Sequence, residues 1–281
     1  MGTTGLDDGY IGLGEMGRAM CSRLVTSGRP VVAFDLDAAA LDAAVAGGAQ
    51  GAADAAEVAR RSDVVSICVP ADHHVLAVVD ALEDGAHHGL TVLIHSTVHP
   101  DTMRTAAERV AAWGGRCHDA CVAGGDAAAR EGQLVMFVSA LDEVAPRARE
   151  VLDRYSDLLI DTGPAGSGAA VKIGVNVMTY AQQAALIAAY ELVAHQGASV
   201  DALVAAWRHN GQFGPVIERF SALAGFPPEA LRGMADYLSN VVAIAQKDLD
   251  LALALGEGTP RGPSPAVAAI RDQMPAIFGQ A

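Results

Sequence analysis

Lysine is almost absent from this chain. Of the 19 basic side chains in 281 residues, only Lys172 and Lys247 are lysines, and the other seventeen are arginines. Positive charge is also outnumbered: 33 acidic residues leave a formal net charge of −14 and a pI near 4.9. That balance argues against nucleic acid and against anionic membrane surfaces as partners. No run of 18 residues is free of polar side chains, and the N-terminus lacks a basic segment followed by an apolar one. A membrane span and a secretory leader are therefore not expected, which predicts a cytoplasmic protein. Cysteine is scarce as well. Four residues (Cys21, Cys68, Cys117, Cys121) are too few for a disulfide framework at this length. Cys117 and Cys121 flank His118 and Asp119, but the spacing fits no zinc pattern, so reduced core thiols and no metal site are expected. The pairs His73-His74 and His87-His88 have no carboxylate at ligand spacing and read as solvated surface.

What the chain does have is a 51% hydrophobic fraction, 19% charged residues and enough length for two domains. Its richness in alanine, glycine and arginine is that of a GC-rich coding sequence, in which arginine displaces lysine wherever it will serve. The lysines that remain are candidates for work that arginine cannot do. Lys172 lies in the stretch Gly166–Gly197, which has no proline and ends on glycine. About thirty residues at ~1.5 Å rise predict a helix of about 45 Å. Its circumference is mostly apolar, predicting burial on most sides. Lys172, Asn176, Thr179 and Gln183 nevertheless share one face. A desolvated lysine there can lose and regain a proton, whereas arginine stays charged.

The chain's start carries a second signal. Gly9-Tyr10-Ile11 reads as the end of a strand, followed by Gly12-Leu13-Gly14-Glu15-Met16-Gly17 and a helical pattern. The next apolar run ends in Asp35, 18 residues past Gly17. Strand, G-x-G-x-x-G turn, helix and acid in this order predict a dinucleotide site. The glycines let pyrophosphate approach a helix N-terminus, and the carboxylate accepts from the ribose hydroxyls. With Leu36 and Asp37 following and no arginine at hand for a 2′-phosphate, NAD is expected over NADP.

Strands and helices then alternate. A helix is expected over 38–61, strands at 64–69, 90–94, 117–122, 134–138 and 158–160, and helices over 72–84, 101–112 and 142–155. This pattern predicts a doubly wound parallel sheet with ligands at the strands' carboxyl ends. Gly12–Gly17, Asp35, Val69-Pro70, Ser96-Thr97 and Ala123-Gly124-Gly125 then fall along one edge. Past Gly163 the strands stop. Helices are expected over 166–197, 199–209, 213–224, 227–255 with breaks, and 264–278. The predicted architecture is an α/β Rossmann-type domain, 1–163, and an all-α domain, 164–281, joined by the long helix.

Four stretches carry a family resemblance. Gly12-Leu13-Gly14-Glu15-Met16-Gly17-Arg18-Ala19-Met20 resembles the cofactor turn of the β-hydroxyacid dehydrogenases, a group that includes 3-hydroxyisobutyrate dehydrogenase and tartronate semialdehyde reductase. 6-Phosphogluconate dehydrogenase is a more distant member. Asp119-Ala120-Cys121-Val122-Ala123-Gly124-Gly125 resembles the substrate loop. Gly166 to Asn176 resembles the catalytic segment G-x-G-x-x-x-K-x-x-x-N, and Lys247-Asp248-Leu249-Asp250-Leu251-Ala252 the K-D-L-x-L-A stretch. The resemblance implies a Rossmann-type domain, a helical domain that forms homodimers or homotetramers, and a cleft between them that takes NAD and a small carboxylate.

By the same resemblance Lys172 is the general acid/base and Asn176 orients Lys172 or the substrate. Thr97 lies beside nicotinamide and substrate, and Gly124 and Gly125 present N–H groups to the substrate carboxylate. Lys247 lies near the cofactor and Asp248 near the substrate. Two positions depart from the pattern: Ala123 where serine is common, and Asn240 where several relatives place an aromatic. Both bear on which substrate fits. The alternatives are a carbonyl or imine reductase on the same scaffold and a non-catalytic dinucleotide-binding module. Imine reductases usually lack the lysine and carry Asn-Arg in place of the second-strand acid.

Overall fold

The computed structural model describes residues 7–224 and 233–279. Its contacts divide the chain into two compact units, one ending at Lys172 and one beginning at Ile173.

The first unit is an eight-stranded sheet. Its strands are β1 (Asp7–Ile11), β2 (Val31–Phe34), β3 (Gln50–Gly51), β4 (Ser62–Ile67), β5 (Thr91–Ile94), β6 (Arg116–Ala123), β7 (Leu134–Val138) and β8 (Ser156–Asp161), in the order β3-β2-β1-β4-β5-β6-β7-β8. The helices between them are α1 (Glu15–Thr26), α2 (Ala38–Ala46), α3 (Ala55–Arg61), α4 (Asp72–Leu82), α5 (Pro100–Ala112), α6 (Gly125–Glu131) and α7 (Pro146–Tyr155). Strand order 3-2-1-4-5-6 is that of a Rossmann-type domain, in which right-handed crossovers cover both faces. The central strands are short runs of Val, Ile and Leu with almost every residue buried, as a sheet covered on both sides requires.

Two features differ from the expected pattern. The sheet is not wholly parallel, because β7 runs antiparallel to β6 while β8 is again parallel to β7. Only ten residues, 124 to 133, join β6 to β7. That is shorter than the dozen or so a parallel crossover needs. The expected helix over 38–61 is also two helices. Gly47 and Gly48 end α2, and the chain adds β3 alongside β2 before Asp54 caps α3 through its bond from Glu57 N at 2.7 Å.

At the amino end of β1, Asp8 is fully buried and holds three arginines. Arg147 and Arg154 of α7 donate to its two oxygens, Arg154 Nη1 at 3.2 Å, and Arg29 Nε lies 3.7 Å away. The pairs fasten α7 under the sheet. Asp8→Ala leaves these guanidiniums without their shared acceptor. We expect a loss of about 2 kcal/mol in urea unfolding, below the usual cost for a buried pair because each arginine is about a fifth exposed and can rehydrate. A loss below half that would mean α7 is held by packing alone.

The second unit is helical: the rest of α8 (Ser167–His195), then α9 (Val200–His209), α10 (Pro215–Ala224), α11 (Ala235–Glu257) and α12 (Pro265–Ile277). The part of the helix expected from residue 227 as far as 232 lies outside the described residues. Leu186, Ile217, Phe220, Leu238, Leu249 and Met274 form its core. Helix α8 is continuous but less buried than its composition suggests, with Val171 40%, Met178 61% and Leu192 65% exposed. An apolar surface running all round a helix needs more covering than one chain's own elements supply. No helix among the described residues is long and apolar enough to cross a membrane.

Candidate active site

The turn after β1 is built by close contacts that only glycine permits. A Cβ on Gly17 would stand 1.9 Å from the Gly12 carbonyl oxygen, and one on Gly12 would stand 2.3 Å from that of Cys68. At Gly14, by contrast, a Cβ would meet open space, and this N-cap of α1 gives its helix no side-chain cap. A helix start with no side-chain cap and open space beside Gly14 suits an anionic diphosphate. Asp35 closes the turn. Its carboxylate accepts from Leu13 N at 2.5 Å and from Asp37 N at 2.8 Å, fixing the end of β2 against the glycine turn. Glu15 is exposed, Met16 half-buried and Leu13 buried.

Two further loops are tied together at the same edge. Ser96 Oγ accepts from Val69 N at 2.9 Å. Asp72 Oδ1, at the start of α4, accepts from His99 N at 2.8 Å and Thr102 Oγ1 at 2.6 Å. Val69, Pro70 and the half-buried Thr97 therefore belong to one clamped segment pair. Beneath it His95, 2% exposed, donates from Nδ1 to the Ala120 carbonyl at 2.8 Å and lies between the rings of Tyr10 and Tyr155. Burial pushes its pKa down to about 4, and the Ala120 bond only partly opposes this. The strand pattern gave no hint of this role for His95. Ala123 ends β6, and Gly124 and Gly125 follow with φ of 135° and 81°, where a Cβ on Gly125 would meet open space.

The other end of the same strand motif does something that sequence reasoning missed. Asp119, 2% exposed on β6, accepts from Gly166 N at 3.1 Å through Oδ1 and from Ala169 N at 3.2 Å through Oδ2. It thus holds the first turn of α8, and the half-buried Lys172 comes one turn later. A buried acid on a strand ahead of a glycine-led helix was the available signal.

In the helical unit, the residues of two distant motifs meet. Asn176 Nδ2 donates to Asp248 Oδ2 at 2.6 Å, Tyr180 donates to the same oxygen at 3.2 Å, and Lys247 Nζ pairs with Asp248 Oδ1 at 2.9 Å. Asp248 is 2% exposed, so its carboxylate is engaged inside this network. Tyr180 was not anticipated, although it lies one turn past Asn176. Burial first, then the adjacent carboxylate, raises its pKa and keeps the phenol protonated. Thr179 Oγ1 donates to its own helix at Val175 O, 3.0 Å, and Asn240 is exposed on α11.

None of the four cysteines is in a disulfide among the described residues, and burial pushes the Cys21 thiol up to about 12. Of the paired histidines, His73 and His88 are exposed, but His74 and His87 are half-buried, and His87 Nε2 meets the Ser62 carbonyl at 3.0 Å. These two are not the solvated surface expected.

A Rossmann-type sheet with an uncapped glycine turn and an acid at the end of β2 is the arrangement of a dinucleotide-binding domain. Comparison with known proteins narrows the class. Residues 7–166 match the family model described as the NAD binding domain of 6-phosphogluconate dehydrogenase. An uncharacterized oxidoreductase of Mycobacterium tuberculosis is 36% identical over 89% of this chain and 85% of its own length. The 3-hydroxyisobutyrate dehydrogenase of Pseudomonas aeruginosa is 32% identical over 88% of this chain and 84% of its own. Among solved structures, a 3-hydroxyisobutyrate dehydrogenase of M. tuberculosis, determined with L-serine, superposes with a TM-score of 0.79 at 23% identity. The match covers 98% of this chain and 94% of that one. The chain belongs to the 6-phosphogluconate dehydrogenase/3-hydroxyisobutyrate dehydrogenase family of NAD(P)-dependent oxidoreductases.

Proposed function

We propose that this enzyme moves hydride between NAD and the β-hydroxyl of a small hydroxy acid, with Lys172 as the general acid/base. The observation that carries the reading is where the two lysines fall. In a chain that otherwise uses arginine, they occupy the lysine positions of the G-x-G-x-x-x-K-x-x-x-N and K-D-L-x-L-A segments. In support, 3-hydroxyisobutyrate, for which one relative is named, and L-serine, with which a structural neighbour was determined, both carry a hydroxyl on the carbon β to a carboxylate.

Bound NAD supplies the hydride acceptor at its nicotinamide ring. The chain's own part is proton transfer and orientation. In the oxidising direction Lys172 Nζ, as the neutral amine, takes the hydroxyl proton as the carbon–hydrogen bond breaks and the carbonyl forms. In the reverse direction the ammonium returns that proton to the developing alkoxide. The nearby positive charge stabilises this alkoxide. Gly124 and Gly125 N–H groups hold the substrate carboxylate, and Thr97 fixes the hydroxyl-bearing end. Asn176 takes its orientation from Asp248, which Tyr180 and Lys247 in turn hold. Ala123 offers no hydroxyl to the carboxylate, which favours a substrate with an apolar group there. The exposed apolar positions of α8 support self-association through the helical unit, as a homodimer or homotetramer.

The test is a screen of small β-hydroxy acids, their methyl esters and simple alcohols with NAD and NADP, following absorbance of the reduced cofactor. Free acids should turn over and esters should not; equal turnover of esters would overturn the carboxylate site. NAD should be preferred in kcat/KM by about 5–150-fold, or 1–3 kcal/mol. Asp35 is followed by Leu36 and Asp37, so a 2′-phosphate would meet two carboxylates. Asp35→Asn should narrow that ratio, and equal values in the wild type would remove the assignment. An imine-reductase reading is disfavoured by the same two features, the acid at Asp35 and the lysine at 172.

A further inference from the structure

We propose that Asp119 is a positioning residue that sets the placement of Lys172 by anchoring the first turn of α8. The inference rests on Lys172 acting as the acid/base. A carboxylate removed from water must be met by donors. Those of Asp119 are arranged around one task. Oδ1 receives Gly166 N, Oδ2 receives Ala169 N, and Ser139 of the segment after β7 reaches both Oδ1, at 3.3 Å, and the Asp119 backbone N–H, at 2.9 Å. Two of the N–H groups that a helix start leaves without intrahelical partners are thus satisfied from the sheet. A negative charge at that end also meets the positive end of a 29-residue helix dipole.

The contact is as close as the backbone allows. A Cβ on Gly168 would stand 2.7 Å from Asp119 Cβ and 2.7 Å from the Phe137 carbonyl oxygen, so helix and strands meet where only glycine fits. Ala169 and Lys172 are three residues apart and neighbours on the helix surface. The carboxylate that fixes the rotation and height of Ala169 therefore fixes the root of the lysine side chain. The spacing of the motifs follows from this: the acid opens the D-A-C-V-A-G-G segment on β6, and the glycines that let α8 reach it precede Lys172.

The experiment uses the full-length enzyme and its best substrate from the screen. Asp119→Asn keeps the shape but replaces one acceptor with an N–H₂ facing an N–H group. The expected result is a kcat lowered about 10–100-fold, the scale of a displaced catalytic group, with NAD affinity within twofold of wild type. The second arm places Asp119→Asn in a Lys172→Ala background and follows the residual rate rescued by added methylamine. A residue acting through Lys172 should cost little there, and an equal loss in both backgrounds would overturn the proposal. If Asp119→Asn fails to fold, Gly168→Ala decides, since it displaces the helix start with the carboxylate intact. It should lower kcat in the wild-type background alone, and an unchanged kcat refutes the idea. The underlying reading fails separately: should Lys172→Ala retain activity, the lysine is not the acid/base. Collapse of Lys172→Ala beside a normal Asp119→Asn refutes positioning only.

Discussion

Lys172→Ala should lower kcat by about 10²–10⁴-fold, the range a well-placed acid/base contributes, while leaving NAD affinity nearly unchanged. The glycine turn and Asp35, the groups proposed to serve the dinucleotide, lie far from the lysine segment in sequence, and Asp35 is bonded to Leu13 and Asp37 beside that turn. Lys172→Arg is the more telling variant. It keeps a positive charge and much of the length, but guanidinium does not surrender a proton at neutral pH. An electrostatic anchor for the substrate carboxylate would survive that exchange with most of its activity. An acid/base would not, and the arginine enzyme should be almost as slow as the alanine enzyme. The measurement is kcat for both variants beside NAD affinity by fluorescence titration. Added primary amine should restore part of the rate to Lys172→Ala and none to Lys172→Arg, whose side chain fills the space. Substantial turnover by the arginine variant would make Lys172 a binding residue and move the search for the proton carrier to other groups, Tyr180 among them.

Much of this was legible in the sequence because the signals were local. The glycine turn, the acid at the end of β2 and the buried runs of β4, β5 and β7 each follow from neighbouring residues, since a strand covered on both faces is a short apolar run. The direction of β7 was not legible from its own residues, which suit either sense. It follows from the length of the link from β6, and only once α6 is known to span seven residues. The break between α2 and α3 was marked by Gly47-Gly48 and by Asp54 with Glu57 three residues on, a capping signal weaker than the alanine-rich helical pattern around it.

The site was legible in its parts and not in its connections. Asp248 and Asn176 were both recognisable from motifs, yet their contact joins residues 72 positions apart, and no spacing rule reaches so far. The same holds for Asp119 with Ala169, 50 positions apart. Motif reading pointed Asp248 at a ligand and gave Asp119 no role of its own, while the folded chain spends the oxygens of both on other parts of the protein. Buried carboxylates need several donors at once, and a sequence does not say where those donors are.

His95 is the residue whose environment the sequence concealed most fully, and it should dominate the acid sensitivity of the first unit. In the folded chain its pKa is down at about 4, against 6.5 for the free side chain, with burial as the main cause. Nδ1 is committed to Ala120 O, and Nε2 is buried without a hydrogen-bond partner among the described residues. A second proton would therefore put an unsolvated cation between Tyr10 and Tyr155. The sign follows. Between pH 6.5 and 4 the unfolded chain binds a proton that the folded chain refuses, so the stability is complete above 6.5 and lost as pH falls toward 4. The shift corresponds to roughly 3 kcal/mol over that window, with no further loss from this group below it. Carboxylates titrate in the same range, so the comparison must be internal. His95→Asn keeps a donor for Ala120 O and cannot titrate, though it loses ring packing and will be weaker at pH 7. Urea unfolding of both proteins at pH 7, 6, 5 and 4 should show wild-type stability falling more steeply, with the two curves converging or crossing near pH 4. Parallel curves would show that His95 does not control the pH response. Because Ser96 and Thr97 follow His95 directly, the same titration should loosen the clamp on Val69, and NAD affinity should weaken together with stability below pH 5.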